Sequence, residues 1–214
     1  MAWPWGSREA YESMYRECLV YHEGEMHATG RDSFWARDAE YLRVACLRLR
    51  QYRELYPQAQ TLLDLGTGNG ATPALAGAFG FDAVGYEPNA TMMTRARALG
   101  REVRPGDCLS VRTGEWDLVT LHDVLEHLLE PLLVLRHLRE RLADGGRLIV
   151  EMPLLPDDPL QWATFRHRKP REHPFLYSEI AAKRLFAEAG LTTYKVLYPK
   201  QNSIGKAAYH LGRN

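Results

Sequence analysis

Residues 62–70 read LLDLGTGNG, an apolar run that passes directly into glycines at positions 66, 68 and 70. A chain turning this tightly between a strand and a helix needs residues that tolerate positive φ and leave the backbone open to a ligand. The first amides of the following helix add partial positive charge at the same point. A carboxylate, or the phosphates of a dinucleotide, suits such a site. Gly66, Gly68 and Ala71 also satisfy the looser pattern G-x-G-x-x-G/A. Glu87 closes the next apolar run, near the spacing at which an acidic side chain grips ribose hydroxyls. The loop alone therefore admits either kind of ligand, with a purely structural glycine turn as the remaining reading.

From residue 61 onward, short apolar runs alternate with helical patterns. Strands are expected at 61–65, 83–87, 102–104, 118–121, 147–152, 192–198 and 206–211, and helices at 72–79, 90–99, 130–142 and 178–189. This alternation predicts an α/β, Rossmann-like three-layer sandwich with a mostly parallel seven-stranded sheet. After Ala189 two strands follow with no helix between them. They predict an antiparallel hairpin at the sheet edge, an ending foreign to the usual dinucleotide-binding layout.

The N-terminal part is aromatic and helical in character. Ser7 is placed to cap a helix carrying Tyr11, Met14, Tyr15 and Cys18, and 21–30 reads as a loop. Asp32 is placed to cap a longer helix that ends at Pro57, with Trp35, Ala39, Leu42, Ala45, Cys46 and Leu49 as its apolar face. Residues 1–58 are thus expected to form a helical lid, with aromatic side chains such as Tyr21 and Phe34 packing in it. Residues 59–214 are expected to form the core, with a proline-rich excursion at 153–176. An excursion of this length in a compact domain is usually functional or mobile.

Lys+Arg 27 balances Asp+Glu 27 in a chain of 214 residues. No basic nucleic-acid footprint is visible, and Arg136, Arg139 and Arg141 read as a solvated helix face. Cys18, Cys46 and Cys108 lack metal-ligand spacing and read as free thiols. The start carries no basic region followed by an apolar core, and no apolar run reaches membrane-span length. The expected location is the cytoplasm.

The surroundings of the glycine loop carry a resemblance. Asp64 within Leu-Asp-Leu-Gly-Thr-Gly-Asn-Gly resembles the first motif of class I S-adenosylmethionine (SAM)-dependent methyltransferases. Glu87-Pro88-Asn89 with Met92 looks like the second motif, and Gly106-Asp107-Cys108 like the third. Residues 116–127 (WDLVTLHDVLEH) followed by Pro131 are similar to the fourth motif of the ubiquinone-biosynthesis-like and sugar methyltransferase branch. Residues 144–150 resemble the turn and fifth strand of that fold. The match runs from about residue 60 to residue 198, in correct motif order.

The resemblance implies S-adenosyl-L-methionine as cofactor and S-adenosyl-L-homocysteine as product. It implies that Asp64 orients the loop and the methionine amino group, and that Gly66, Thr67, Gly68, Asn69 and Gly70 surround the amino-acid portion. Glu87 is expected to accept both ribose hydroxyls, with Pro88 and Met92 beside the adenine. Asp107 and the Cys108 amide are expected at the adenine edge, and His122 and Asp123 complete the cofactor set. In this branch a Glu-His pair at the positions of Glu126 and His127 lines the acceptor pocket and can serve as base. His173 precedes the late helix, where a histidine often faces the active site; Pro174 directly after it departs from the commoner spacing. His22, His27, Arg31 and Arg37 lie in the lid, where an arginine could pair with the SAM carboxylate.

No metal is expected: His122 to Glu126-His127 is one residue too long for H-x-x-E-H, and no distant third ligand stands out. The function expected is methyl transfer to an oxygen or nitrogen of a small molecule. The sequence Leu121-His122-Asp123-Val124 holds no Asn-Pro-Pro-Tyr-type motif, which argues against adenine or glutamine amino-methylation. A NAD(P)-dependent oxidoreductase and a non-catalytic SAM-binding module are the alternatives. A small-molecule acceptor is the expected partner, with no nucleic acid and no membrane span, and a homodimer is left open.

Overall fold

The computed structural model describes residues 34–165, 167–169, 172–197 and 206–213, together with Ser7, Glu9, Ala10 and Ser13. Ser7 Oγ accepts the amide of Ala10 at 3.1 Å, the bond expected of a helix cap. Tyr11, Met14, Tyr15, Cys18, Tyr21, His22, His27, Arg31 and Asp32 lie outside the described residues, as do the side chains of Phe34, Trp35 and Arg37. The chain divides into two compact units, Met1–Asp107 and Cys108–Asn214.

The first unit contains helix α1 (Phe34–Leu55), strand β1 (Thr61–Leu65), helix α2 (Ala71–Ala76) with a 3-10 turn (Gly77–Phe79), β2 (Asp82–Glu87), α3 (Ala90–Ala98) and β3 (Arg104–Pro105). β1 pairs parallel with β2, and β2 with β3. Leu62, Leu63 and Leu65 are all buried, because a parallel strand is covered on both faces. The buried face of α1 is narrower than its apolar pattern predicts. Ala45, Leu49 and Tyr52 are buried and Leu42 half-buried, while Ala39 and Cys46 are exposed. They sit one position off the 3.6-residue stripe, about 100° around the helix. Arg53 fastens the end of α1: its guanidinium donates to the carbonyls of Phe79, Pro57, Ala59 and Gly80 at 2.8–2.9 Å and lies over the Phe81 ring.

β3 falls at 104–105 rather than 102–104, and Glu102 is exposed. Pro105 has no amide to give a ladder, which an edge strand tolerates. Asn89 starts α3 by accepting the amides of Thr91 and Met92 on its side-chain oxygen.

The second unit contains β4 (Trp116–His122), a 3-10 turn (Leu125–His127), α4 (Pro131–Arg139), β5 (Leu142–Pro153), a 3-10 helix (Pro159–Thr164), α5 (Glu179–Glu188), β6 (Leu191–Leu197) and β7 (Lys206–Arg213). Pro131 opens α4, where a missing amide costs no helical bond. The helix ends at Arg139, earlier than its pattern predicts, because Leu142 already pairs with Trp116 in the sheet. Ser178 caps α5 through the amide of Ala181. β4 and β5 are parallel, while β7 runs antiparallel to both β5 and β6. Phe186 of α5 packs on Tyr209 of β7 with ring centroids 5.1 Å apart, both fully buried.

Between β5 and α5 the described chain is not structureless. Asp158 caps the 3-10 helix through the amide of Leu160, Trp162 donates its indole N–H to Pro156, and Leu154 bridges to Tyr177. The seven strands are ordered β3-β2-β1-β4-β5-β7-β6, a Rossmann-like mixed sheet with antiparallel strands at one side. No helix among the described residues is long and apolar enough to cross a membrane.

Candidate functional site

The glycine loop of the first unit joins the buried end of β1 to the start of α2. Gly66, Gly68 and Gly70 have φ of 69°, 60° and 74°, a region that side-chain-bearing residues avoid. The amides of Gly66 and Thr67 bond the carbonyl of Tyr86, which pins the loop to β2. Glu87, the last residue of β2, is buried. Its Oε2 accepts the amide of Gly68 at 2.8 Å and its Oε1 that of Asn89 at 2.9 Å. Burial pushes its carboxyl above the usual carboxylate range, against the pull of these two amides, and buried Asp64 adds to the rise. Each oxygen keeps a second acceptor lone pair, so the group can still receive two hydroxyls.

Met92, in the first turn of α3, reaches the loop: a Cβ on Gly68 would stand 3.2 Å from its Cε. Pro88 links β2 to the Asn89 cap. Thr67 Oγ1 is buried with no hydrogen-bond partner among the described residues. Asp107 is exposed at the end of this unit, and Cys108, which opens the second, is buried. The first unit therefore brings Asp64, residues 66–70, Glu87 and Met92 to one end of its sheet.

Asp38 and Arg101 also reach this loop and carry no sequence signal, because they lie 31 and 32 positions from Asn69. Asp38 accepts the Asn69 side-chain amide at 2.8 Å and is gripped by both terminal nitrogens of Arg101 at 2.7 and 2.8 Å.

In the second unit His122 ends β4 and is half-buried. Asp123 follows in the left-handed region, φ 53°, which few side-chain-bearing residues adopt without a local reason. Its two carboxylate oxygens both accept from Lys206 Nζ at 2.5 Å, so this expected cofactor ligand is engaged by a lysine of β7. Glu126 and His127 lie in the 3-10 turn that follows. Glu126 is almost completely buried, and its Oε2 has no hydrogen-bond partner among the described residues. Burial, then the negative charge of Asp123, pushes its carboxyl up to about 8.

His127 Nδ1 lies 2.8 Å from the carbonyl oxygen of Glu172. A carbonyl only accepts, so Nδ1 carries the hydrogen and Nε2 keeps the lone pair. His173 is arranged alike, with Nδ1 2.7 Å from the carbonyl of His167. The two imidazoles meet edge to face with centroids 4.6 Å apart. Burial, then the neighbouring His173, lowers His127 to about 4, and burial also lowers His173. Ligating atoms of Glu126, His127 and His173 all lie within 4.8 Å of one another.

The fold thus supplies the distant third group that linear spacing lacks. Two lone-pair nitrogens and a carboxyl oxygen serve either a proton or a divalent cation. Tyr177 belongs to the same neighbourhood. Its hydroxyl is buried without a partner among the described residues, and burial and the charge of Glu126 hold its phenol above the ordinary range. No sequence spacing signals Tyr177 or Lys206.

The family model described as "Methyltransferase domain" matches residues 34–196. Solved structures of similar fold include the mitomycin 7-O-methyltransferase, with TM-score 0.62, 19% identity, 99% of this chain and 69% of that one covered. Magnesium protoporphyrin IX methyltransferase from Synechocystis PCC 6803 with bound SAH superposes with TM-score 0.69 at 14% identity, covering 97% of this chain and all of that one (100%). A SAM-bound amino pentose methyltransferase from Micromonospora echinaspora gives TM-score 0.63 at 18% identity, covering 89% and 96%. At these identities the likeness is one of fold. A search of the curated proteins finds no match to the sequence.

Proposed function

This chain belongs to the methyltransferase-domain family, and on that premise we propose that it moves the methyl group of S-adenosyl-L-methionine to an oxygen or nitrogen of a small molecule. The observation that carries this reading is the bond between Glu87 and Gly68. It presents a buried carboxylate and a left-handed glycine loop together, the pair of features that a nucleoside carrying an amino acid requires. The solved structures alike in fold include enzymes named for a mitomycin hydroxyl position and for an amino pentose, which supports a small acceptor.

In the first unit, Asp64 and residues 66–70 hold the amino-acid portion of the cofactor, and Glu87 takes the ribose hydroxyls. Pro88, Met92 and Asp107 meet the adenine. The second unit supplies the acceptor chemistry through Glu126, His127 and His173. In the reaction the bond from sulfur to methyl breaks as the bond from acceptor to methyl forms. The sulfonium becomes the thioether of S-adenosyl-L-homocysteine, and the acceptor's proton passes to the protein. An imidazole held near 4 is a weak base at neutral pH. Glu126, which titrates near 8 and has an open Oε2, is the better-matched proton acceptor. His127 and His173, each with a ring nitrogen within 4.8 Å of the Glu126 carboxyl, position the acceptor beside it. The expected setting is the cytoplasm.

Calorimetric titration with S-adenosyl-L-methionine and S-adenosyl-L-homocysteine tests the cofactor. Binding of both, with a rise in melting temperature, is expected; no binding of either overturns the proposal. A panel of hydroxylated and amino small molecules, scored by release of S-adenosyl-L-homocysteine, then tests turnover. Absence of turnover with a broad panel favours a binding module instead.

A further inference from the structure

We propose that Asp38 and Arg101 are positioning residues that hold the glycine loop, through Asn69, in the conformation that receives the cofactor. This rests on the assignment of that loop to S-adenosyl-L-methionine.

Upstream, the loop is anchored by backbone bonds from Gly66 and Thr67 to Tyr86. Beyond Gly68 the Gly70 amide bonds the Thr67 carbonyl at 3.2 Å within the loop itself, and the bonds from Asn69 to Asp38 and Arg101, remote in sequence, are made by side chains of those residues. Asn69 stands between two left-handed glycines, where the backbone is freest to adopt other shapes. Three groups remove that freedom. The Asn69 Nδ2 donates to Asp38, its Oδ1 accepts the amide of Ala71 at 3.3 Å, and its carbonyl accepts from Arg101 at 3.3 Å. The orientation of this side chain is unambiguous, since a carboxylate accepts only and must face the NH2 end.

Arg101 and Asp38 are both nearly buried and joined by two parallel hydrogen bonds, the geometry a guanidinium fork makes and a lysine does not. The segment carrying Arg101 also packs on the loop. A Cβ on Gly70 would lie 2.7 Å from Val103 Cγ2 and 3.4 Å from Arg101 Cβ. The loop is therefore clamped from two places remote in sequence, α1 and the chain before β3.

A buried ion pair is a poor device for stability, because desolvating two charges offsets most of their attraction and an apolar pair of similar volume often does as well. What the pair supplies here is direction: a fixed carboxylate for the Asn69 amide and a fixed donor for its carbonyl. A ligand that binds loop amides then meets them already aimed, without the entropy loss of ordering them.

The test is titration of the full chain with S-adenosyl-L-homocysteine, read beside thermal melting. In the double variant D38L/R101M no lone charge is left buried, so the melting temperature is expected to stay within a few degrees of wild type. Its Kd is expected to weaken by roughly tenfold or more. N69A is expected to weaken binding in the wild-type background and to add little in the double variant, since all three act through one contact. A double variant that folds and binds S-adenosyl-L-homocysteine as wild type does overturns the proposal. Should the double variant not fold, R101K decides: it keeps the charge and loses the fork, and an unchanged Kd refutes the positioning role. A wild-type chain that does not bind S-adenosyl-L-homocysteine at all is a separate result, which refutes the cofactor assignment instead.

Discussion

Glu87 holds the backbone amide of Gly68 at 2.8 Å across 19 positions of sequence, so the acidic end of β2 and the turn after β1 form one rigid unit. Both carboxylate oxygens already accept an amide, from Gly68 and from Asn89. In E87Q one of those oxygens becomes an NH2 facing an N–H, a donor against a donor. The variant is expected to bind S-adenosyl-L-homocysteine roughly 10- to 100-fold more weakly, with unchanged far-UV circular dichroism. Wild-type affinity in E87Q would mean that this carboxylate does not hold the ribose.

That the loop and Glu87 belong together is readable from the linear chain, because a strand, positive-φ glycines, a helix and an acidic strand end occur in fixed order. Both partners are also close in sequence. Asp38 and Arg101 are not readable in this way: their pairing spans 63 positions, and each alone is an ordinary helix or loop charge. Lys206 and Asp123 are 83 positions apart and equally hidden. The Glu126 and His127 pair is visible as a local motif, yet its low-polarity setting arises only when Tyr177 and the chain carrying Glu172 and His173 fold against it. β3 is misplaced by the pattern because an edge strand of two residues has almost no periodicity to read.

Glu126 makes stability depend on pH. Its folded carboxyl lies near 8 against an ordinary 4.5, so between those values the folded chain holds a proton that the unfolded chain has released. The stabilisation is present below 4.5 and is lost as pH rises toward 8. E126Q stays neutral throughout. Its melting temperature relative to wild type is expected to climb by several degrees from pH 5 to pH 8, followed by scanning calorimetry. With a working acceptor, kcat/KM of wild type is expected to rise with pH through about 8, and E126Q to lose that limb. A difference in melting temperature that is flat with pH would show that Glu126 ionises normally.

His127 runs in the opposite sense. Its folded value of about 4 lies below the ordinary 6.5, so its contribution is full above 6.5 and is lost as pH falls toward 4. Nitrogen-15 NMR of the imidazoles is expected to show the Nδ1–H tautomer at pH 7, set by the Glu172 carbonyl, and no protonation of His127 until pH is near 4. An Nε2–H tautomer at pH 7 would contradict the hydrogen bond to the Glu172 carbonyl, and titration near 6.5 would contradict the burial of the ring.

Two glycines of the first unit separate conformational need from coincidence. Gly70 has φ 74° and a missing Cβ that would sit 2.7 Å from Val103 Cγ2. Gly77 has helical angles, φ −58° and ψ −36°, and open space where a Cβ would go. G70A is expected to destabilise the chain by about 2 kcal/mol or more, from backbone strain and the clash together. It should weaken S-adenosyl-L-homocysteine binding as well, since the loop is displaced. G77A is expected to stabilise by about 0.5–1 kcal/mol, because alanine loses less entropy on folding and nothing obstructs its methyl. Urea unfolding of both variants checks this. Equal effects at the two positions would mean that the left-handed loop is not the conformation the chain holds in solution.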